Sequence, residues 1–237
     1  MFLKSIRCLS EEENSGCSLI ATGVFFFLII LLWQWLWPDV IPFVTFEFFR
    51  FSITDTVNAA WALIPLFCYG LLINVPNMLK KEKLPLTKND LFVEGTKISL
   101  WAGIGEELLF RWLLFFGAII SISVFDWIFF GFMFEYGLLG LIYNWIFIPI
   151  ANFLTFGYLT PFLYHSSGWV VGAAIVSANG QFRDGHQYQG CLGWLTSWFA
   201  GMIFFYLVFT CGIPTAIIIH FLYDFIIFTA IAITRGR

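Results

Sequence analysis

Gly105-Glu106-Glu107-Leu108-Leu109-Phe110-Arg111-Trp112-Leu113-Leu114 sets three charges inside an otherwise apolar run. How this run is read decides the fold. A charge at the middle of a membrane span costs roughly 2.5–3.5 kcal/mol on insertion scales. Three charges within six residues therefore need partners, a water-filled cavity, or both.

Working outward, the rest of the chain makes lipid the natural solvent for that helix. Of 237 residues, 60% are hydrophobic and 11% charged, against about 25% charged in a soluble domain. Phe (31) and Trp (11) are abundant, and Trp favours the membrane–water interface. Several apolar runs reach the roughly 20 residues that cross about 30 Å of hydrocarbon. The alternating ten-residue segments of a transmembrane barrel are not seen. The expected fold is an all-α, polytopic transmembrane helical bundle of about eight membrane segments around an intramembrane catalytic cavity. No extended basic patch suggests a nucleic-acid partner. The five cysteines, Cys8, Cys17, Cys68, Cys191 and Cys211, show no CxxC spacing and read as scattered free thiols.

Charge distribution orients the bundle. Lys80, Lys81, Lys83 and Lys88 cluster in one short loop, which the positive-inside rule makes cytoplasmic. Lys4 and Arg7 precede the first span, and Arg235 and Arg237 follow the last. Both termini are thus expected in the cytoplasm, which requires an even number of crossings. Spans are expected at about Ser18–Trp37, Val57–Leu79, Leu91–Ile120, Gly137–Tyr164, Gly168–His186, Leu192–Cys211 and Ile213–Ile233. A short tilted or re-entrant piece over Ser121–Phe134 brings the count to eight. Pro149 and Pro161 are expected kinks, and Thr87 to Asp90 a cap for the charged helix. The division expected is a two-span hairpin and basic loop over residues 1–90 and a catalytic membrane core over 91–237.

Three intramembrane groups carry chemistry. Residues four apart on a helix share a face, so Glu107 and Arg111 read as a structural ion pair. Glu106 points elsewhere, has no local partner, and is the candidate general base or acid. The second group, Phe182-Arg183-Asp184-Gly185-His186, lies in a polar run that implies a water-accessible cavity or a loop end. The third is His220 and Asp224, four apart in the last apolar span. An imidazole and a carboxylate there could bind a metal, orient water or stabilise an oxyanion.

Taken in order, Glu-Glu-x-x-x-Arg at Glu106, Glu107 and Arg111, then Phe-x-x-x-His at Phe182 and His186, then His-x-x-x-Asp at His220 and Asp224, resemble the CPBP family. That family holds the type II CAAX prenyl endopeptidases and bacterial relatives linked to bacteriocin immunity. The resemblance runs from about Leu91 to the C-terminus. Arg183 and Asp184 stand where the family has a short apolar stretch. A long apolar stretch, Ser121 to His165, separates the first two motifs; His165 at its end does not fit the motif and is weighed as a substitute ligand.

The resemblance implies an intramembrane endopeptidase acting on a membrane-embedded or prenylated protein or peptide. Glu106 would activate water with His186 close by, and His220 and Asp224 would stabilise the oxyanion. Glu107 and Arg111 would hold the geometry. A divalent metal such as zinc on Glu106, His186, His220 and Asp224 is one option, and the metal-free glutamate mechanism is favoured. Two other classes stay open: a catalytically silent scaffold or immunity-type protein, and an ion-coupled transporter, since intramembrane Glu, His and Asp also mark ion pathways.

Overall fold

The structure is a computed structural model that describes residues 13–36, 38, 45–76, 79, 88–129, 131, 137–166 and 168–235. All regular structure among them is helical. Contacts divide the chain into two units, Met1–Pro42 and Phe43–Arg237. The first holds α1 (Glu13–Leu36), 24 residues long and apolar through most of its length. Of the four lysines expected to orient the protein, Lys80, Lys81 and Lys83 lie outside the described residues, as does Thr87, the first residue of the expected cap.

The second unit starts with a 3₁₀ turn, Thr45–Phe49, and α2 (Ile53–Ala62), which is capped by Ser52 accepting from the Asp55 backbone N–H. α3 (Ile64–Tyr69) follows and runs into a π turn, Gly70–Asn74. Pro65 in the first turn of α3 has no N–H for the preceding helix to use, so the chain bends by 50° between α2 and the α3–π stretch. This bent pair lies in the second unit. Polar pins hold it there: Thr56 and Thr215 share a hydroxyl hydrogen bond of 2.9 Å, and Asn74 Nδ2 donates to the Tyr223 hydroxyl at 2.8 Å.

The charged helix is longer than its apolar pattern suggests. α4 (Lys88–Glu106), a π turn (Glu107–Leu113) and α5 (Leu114–Ile128) follow without a break, giving an apolar helix over Asn89–Ile128 of 40 residues. The expected short piece over Ser121–Phe134 thus begins inside this helix, and residues 130 and 132–134 lie outside the described ones. Its first eight residues, Ser121–Ile128, continue α5, which holds no proline and whose one glycine, Gly117, lies before them.

Beyond it, α6 (Gly137–Ile142), a π turn (Tyr143–Phe147) and α7 (Ile148–Leu154) form one span. The π register ends just before Pro149, so the ring meets a widened turn instead of breaking the helix. The span was expected to reach Tyr164. It stops at Leu154, where Phe156 and Gly157 take positive φ, and a short α8 (Thr160–Leu163) follows with Pro161 in its first turn.

α9 (Trp169–Gly185), a 3₁₀ turn (Gln187–Gln189), α10 (Gly190–Cys211) and α11 (Ile213–Arg235) complete the unit near their expected bounds. Gly212, with φ +95°, makes the tight link between α10 and α11. Among the described residues, four helices are long and apolar enough to cross a membrane, and the bent pair makes a fifth if it counts as one span.

α11 is the centre of the site's scaffold. It lies antiparallel to α4, with Gly95 against Phe228 and Gly103 against the α11 backbone. A Cβ on Gly103 would stand 3.0 Å from the Ile217 carbonyl oxygen. α9 packs on α5, and α10 meets α5 through the buried ring pair Phe115–Phe205.

Candidate active site

The two glutamates sit where α4 turns into the π turn. Single π turns inside helices recur at functional sites because they re-aim side chains that a regular helix would place elsewhere. Here Glu106 keeps 31% of its side chain exposed, while Glu107 and Arg111 are wholly buried. One carboxylate is open to the site and its neighbour is sealed behind it.

Glu107 has two partners. Its Oε1 accepts from His220 Nδ1–H at 2.7 Å and stands 3.4 Å from Arg111 Nη1. The expected Glu107–Arg111 pair is present, but the shorter contact is to the histidine. Arg111 is held mainly by aromatic faces. Its guanidinium carbon lies 4.0 Å from the Phe182 ring centroid and 5.3 Å from that of Phe204. Such cation–π contacts gain strength when desolvated.

Glu106 is not without a partner. Its Oε2 stands 3.9 Å from His186 Nε2 and 3.9 Å from His220 Nε2. His220 Nε2 is also 3.7 Å from Asp224 Oδ2. The structure thus brings Glu106, His186, His220 and Asp224 together, with Glu107 and Arg111 behind them. These separations exceed a direct hydrogen bond and suit a bridging water.

Both histidines are fixed in the same sense. His186 Nδ1–H donates to the Phe182 carbonyl at 2.7 Å, and His220 Nδ1–H to Glu107, so each turns its Nε2 toward Glu106. A second partner on one ring nitrogen is what fixes the role of the other. Phe204 stacks on the His220 ring, with centroids 4.5 Å apart.

His186 is the first residue after α9, so the polar second motif is a helix end. Phe182, one turn earlier, is buried, while Arg183 and Asp184 turn outward. Tyr188, expected only as part of the polar run, stacks on His186 with centroids 6.0 Å apart. Its position two residues after a motif histidine was the available signal. Phe204 had none, standing among many phenylalanines.

His165 takes no place among these groups. It lines a different cleft of about 280 Å³ with Glu47, Arg50 and Phe209, and partial burial holds its imidazole below the usual histidine value.

Among the described residues no group of three or more His, Cys, Asp or Glu side chains converges as a metal centre would. Cys68, Cys191 and Cys211 are free thiols.

No family model, no curated protein and no solved structure matches the chain.

Proposed function

We propose that this protein is an intramembrane endopeptidase of the CPBP type. It hydrolyses a peptide bond of a membrane-embedded or prenylated protein or peptide. The observation that carries the reading is the meeting of one half-open carboxylate with two inward-facing imidazole nitrogens, each 3.9 Å from Glu106 Oε2.

Glu106, oriented with His186, takes a proton from water, and the hydroxide oxygen bonds to the scissile carbonyl carbon. The carbonyl π pair moves onto oxygen. That oxyanion accepts from the Nε2–H of protonated His220, which Glu107 and Asp224 flank. Collapse breaks the C–N bond, and the leaving nitrogen takes the proton held by Glu106. Arg111 anchors Glu107. No step runs through a metal.

The finer topology goes with this reading: about eight membrane segments around the catalytic cavity, with both termini cytoplasmic. The 40-residue helix spans roughly 60 Å if straight, twice the hydrocarbon thickness, so part of it lies outside the bilayer.

The test is cleavage of a panel of membrane-associated and prenylated peptides by purified wild-type and Glu106→Gln protein. Cleavage by wild type alone supports the enzyme and its base. Equal cleavage by both removes the assignment. No cleavage by either, with both folded, moves the balance to a silent scaffold or an ion-coupled transporter.

A further inference from the structure

We infer that Asp184 is a positioning residue, clasping the end of α9 to the start of α10 so that His186 keeps its Nε2 aimed at Glu106. This deepens the peptidase reading and rests on it.

The clasp is built on one oxygen. Asp184 Oδ1 accepts from Arg183 Nε at 2.8 Å and from Trp194 Nε1 at 2.9 Å, and it stands 2.8 Å from Arg183 Nη2. The Arg183 guanidinium also lies over the Trp194 ring, 4.2 Å from its centroid. Asp184 therefore joins the last turn of α9 to the second turn of α10, on either side of the 3₁₀ turn.

Everything that aims His186 lies within this loop of contacts. Its backbone N–H donates to the Arg183 carbonyl at 3.0 Å. Its Nδ1–H donates to the Phe182 carbonyl, and its ring sits between Phe182 and Tyr188. Tyr188 in turn lies in the 3₁₀ turn that the clasp closes. Gly190, at φ +87°, returns the chain into α10.

An exposed ion pair by itself stabilises a fold very little. What this one supplies is direction: it joins two helix ends across the residue that must face Glu106. A misplacement of about 1 Å can lower a catalytic rate by roughly a hundredfold.

The chain's three histidines make the test clean. Full-length wild type, Asp184→Ala and Asp184→Asn proteins would be treated with diethyl pyrocarbonate, and the rate at His165, His186 and His220 read by peptide mapping. Peptide cleavage would be measured in parallel. We expect His186 to react several-fold faster in Asp184→Ala with the His220 rate unchanged. kcat falls roughly tenfold or more with KM nearly constant. Asp184→Asn, which keeps an acceptor oxygen for Trp194, recovers most of both.

An unchanged His186 rate in folded Asp184→Ala overturns the inference. If Asp184→Ala does not fold, Trp194→Phe removes the indole donor and keeps the ring, and the same rise at His186 is required of it. Faster labelling in a protein whose wild type shows no Glu106-dependent cleavage removes the peptidase reading and leaves the clasp. Glu106-dependent cleavage with unchanged labelling does the reverse.

Discussion

His220 Nδ1 and Glu107 Oε1 stand 2.7 Å apart across 113 positions of sequence, both almost wholly buried. This bond makes Glu107 part of the site as well as of its frame. It aims the Nε2 of His220 at Glu106 and Asp224. Glu107→Gln should therefore impair cleavage by fixing His220 less well, while Glu106→Gln removes the base altogether. The expected result is a residual rate in the first and none in the second, with both folded. Equal loss in both, read by single-turnover assays, would place the two carboxylates in one role.

Arg111 is held by ring faces and by one loose ion pair. Removing a buried charge partner costs about 3–5 kcal/mol, so Arg111→Ala should melt at a markedly lower temperature in detergent. Arg111→Lys keeps the charge but not the planar group that stacks on Phe182, and should lose about 2 kcal/mol. A lysine variant as stable as wild type would show that the aromatic box contributes nothing.

Gly201 lets α10 approach the Asn179 side chain, the Phe182 ring and Arg111. A methyl group there meets all three, and overpacking of this kind costs about 1–3 kcal/mol. Thermal unfolding of Gly201→Ala against an exposed control, Leu72→Ala at a position 72% exposed, should show a loss in the first and little in the second.

Treatment with a strong chelator should leave cleavage unchanged, because the proposed steps use carboxylate and imidazole alone. Loss of activity restored by zinc, with matching metal content, would replace that chemistry by a metal-assisted one.

Accessibility tags at the two ends of the chain should both report the cytoplasmic side if the number of crossings is even. Tags on opposite sides would give an odd number, as expected if the extension of α5 through Ile128 leaves no separate crossing after it.

Much of the site was legible because charge is costly in lipid. Glu106, Glu107, Arg111, His220 and Asp224 stand out against apolar neighbours, and helical spacing alone pairs Glu107 with Arg111 and His220 with Asp224. The contact between Glu107 and His220 was not legible, because it depends on how α4 and α11 cross, and that is set by Gly95 and Gly103. Nor were the π turns, since periodicity in an all-apolar helix has no polar face to betray an extra residue. The run after Leu114 misled for the same reason: uniform hydrophobicity marks a span without marking its end.

The π turn at Glu107–Leu113 divides the long helix into two separately phased halves. One half docks against α11, the other against α9. Deleting a single residue from Leu108–Leu113 would act like a quarter-turn of a screw, rotating all that follows by roughly 100° and sending Phe115 and Phe116 from the core into lipid. The chain should thus accept many exchanges among apolar residues here and almost no change in their number, so that in descent from a common ancestor the length of this stretch would drift far more slowly than its spelling.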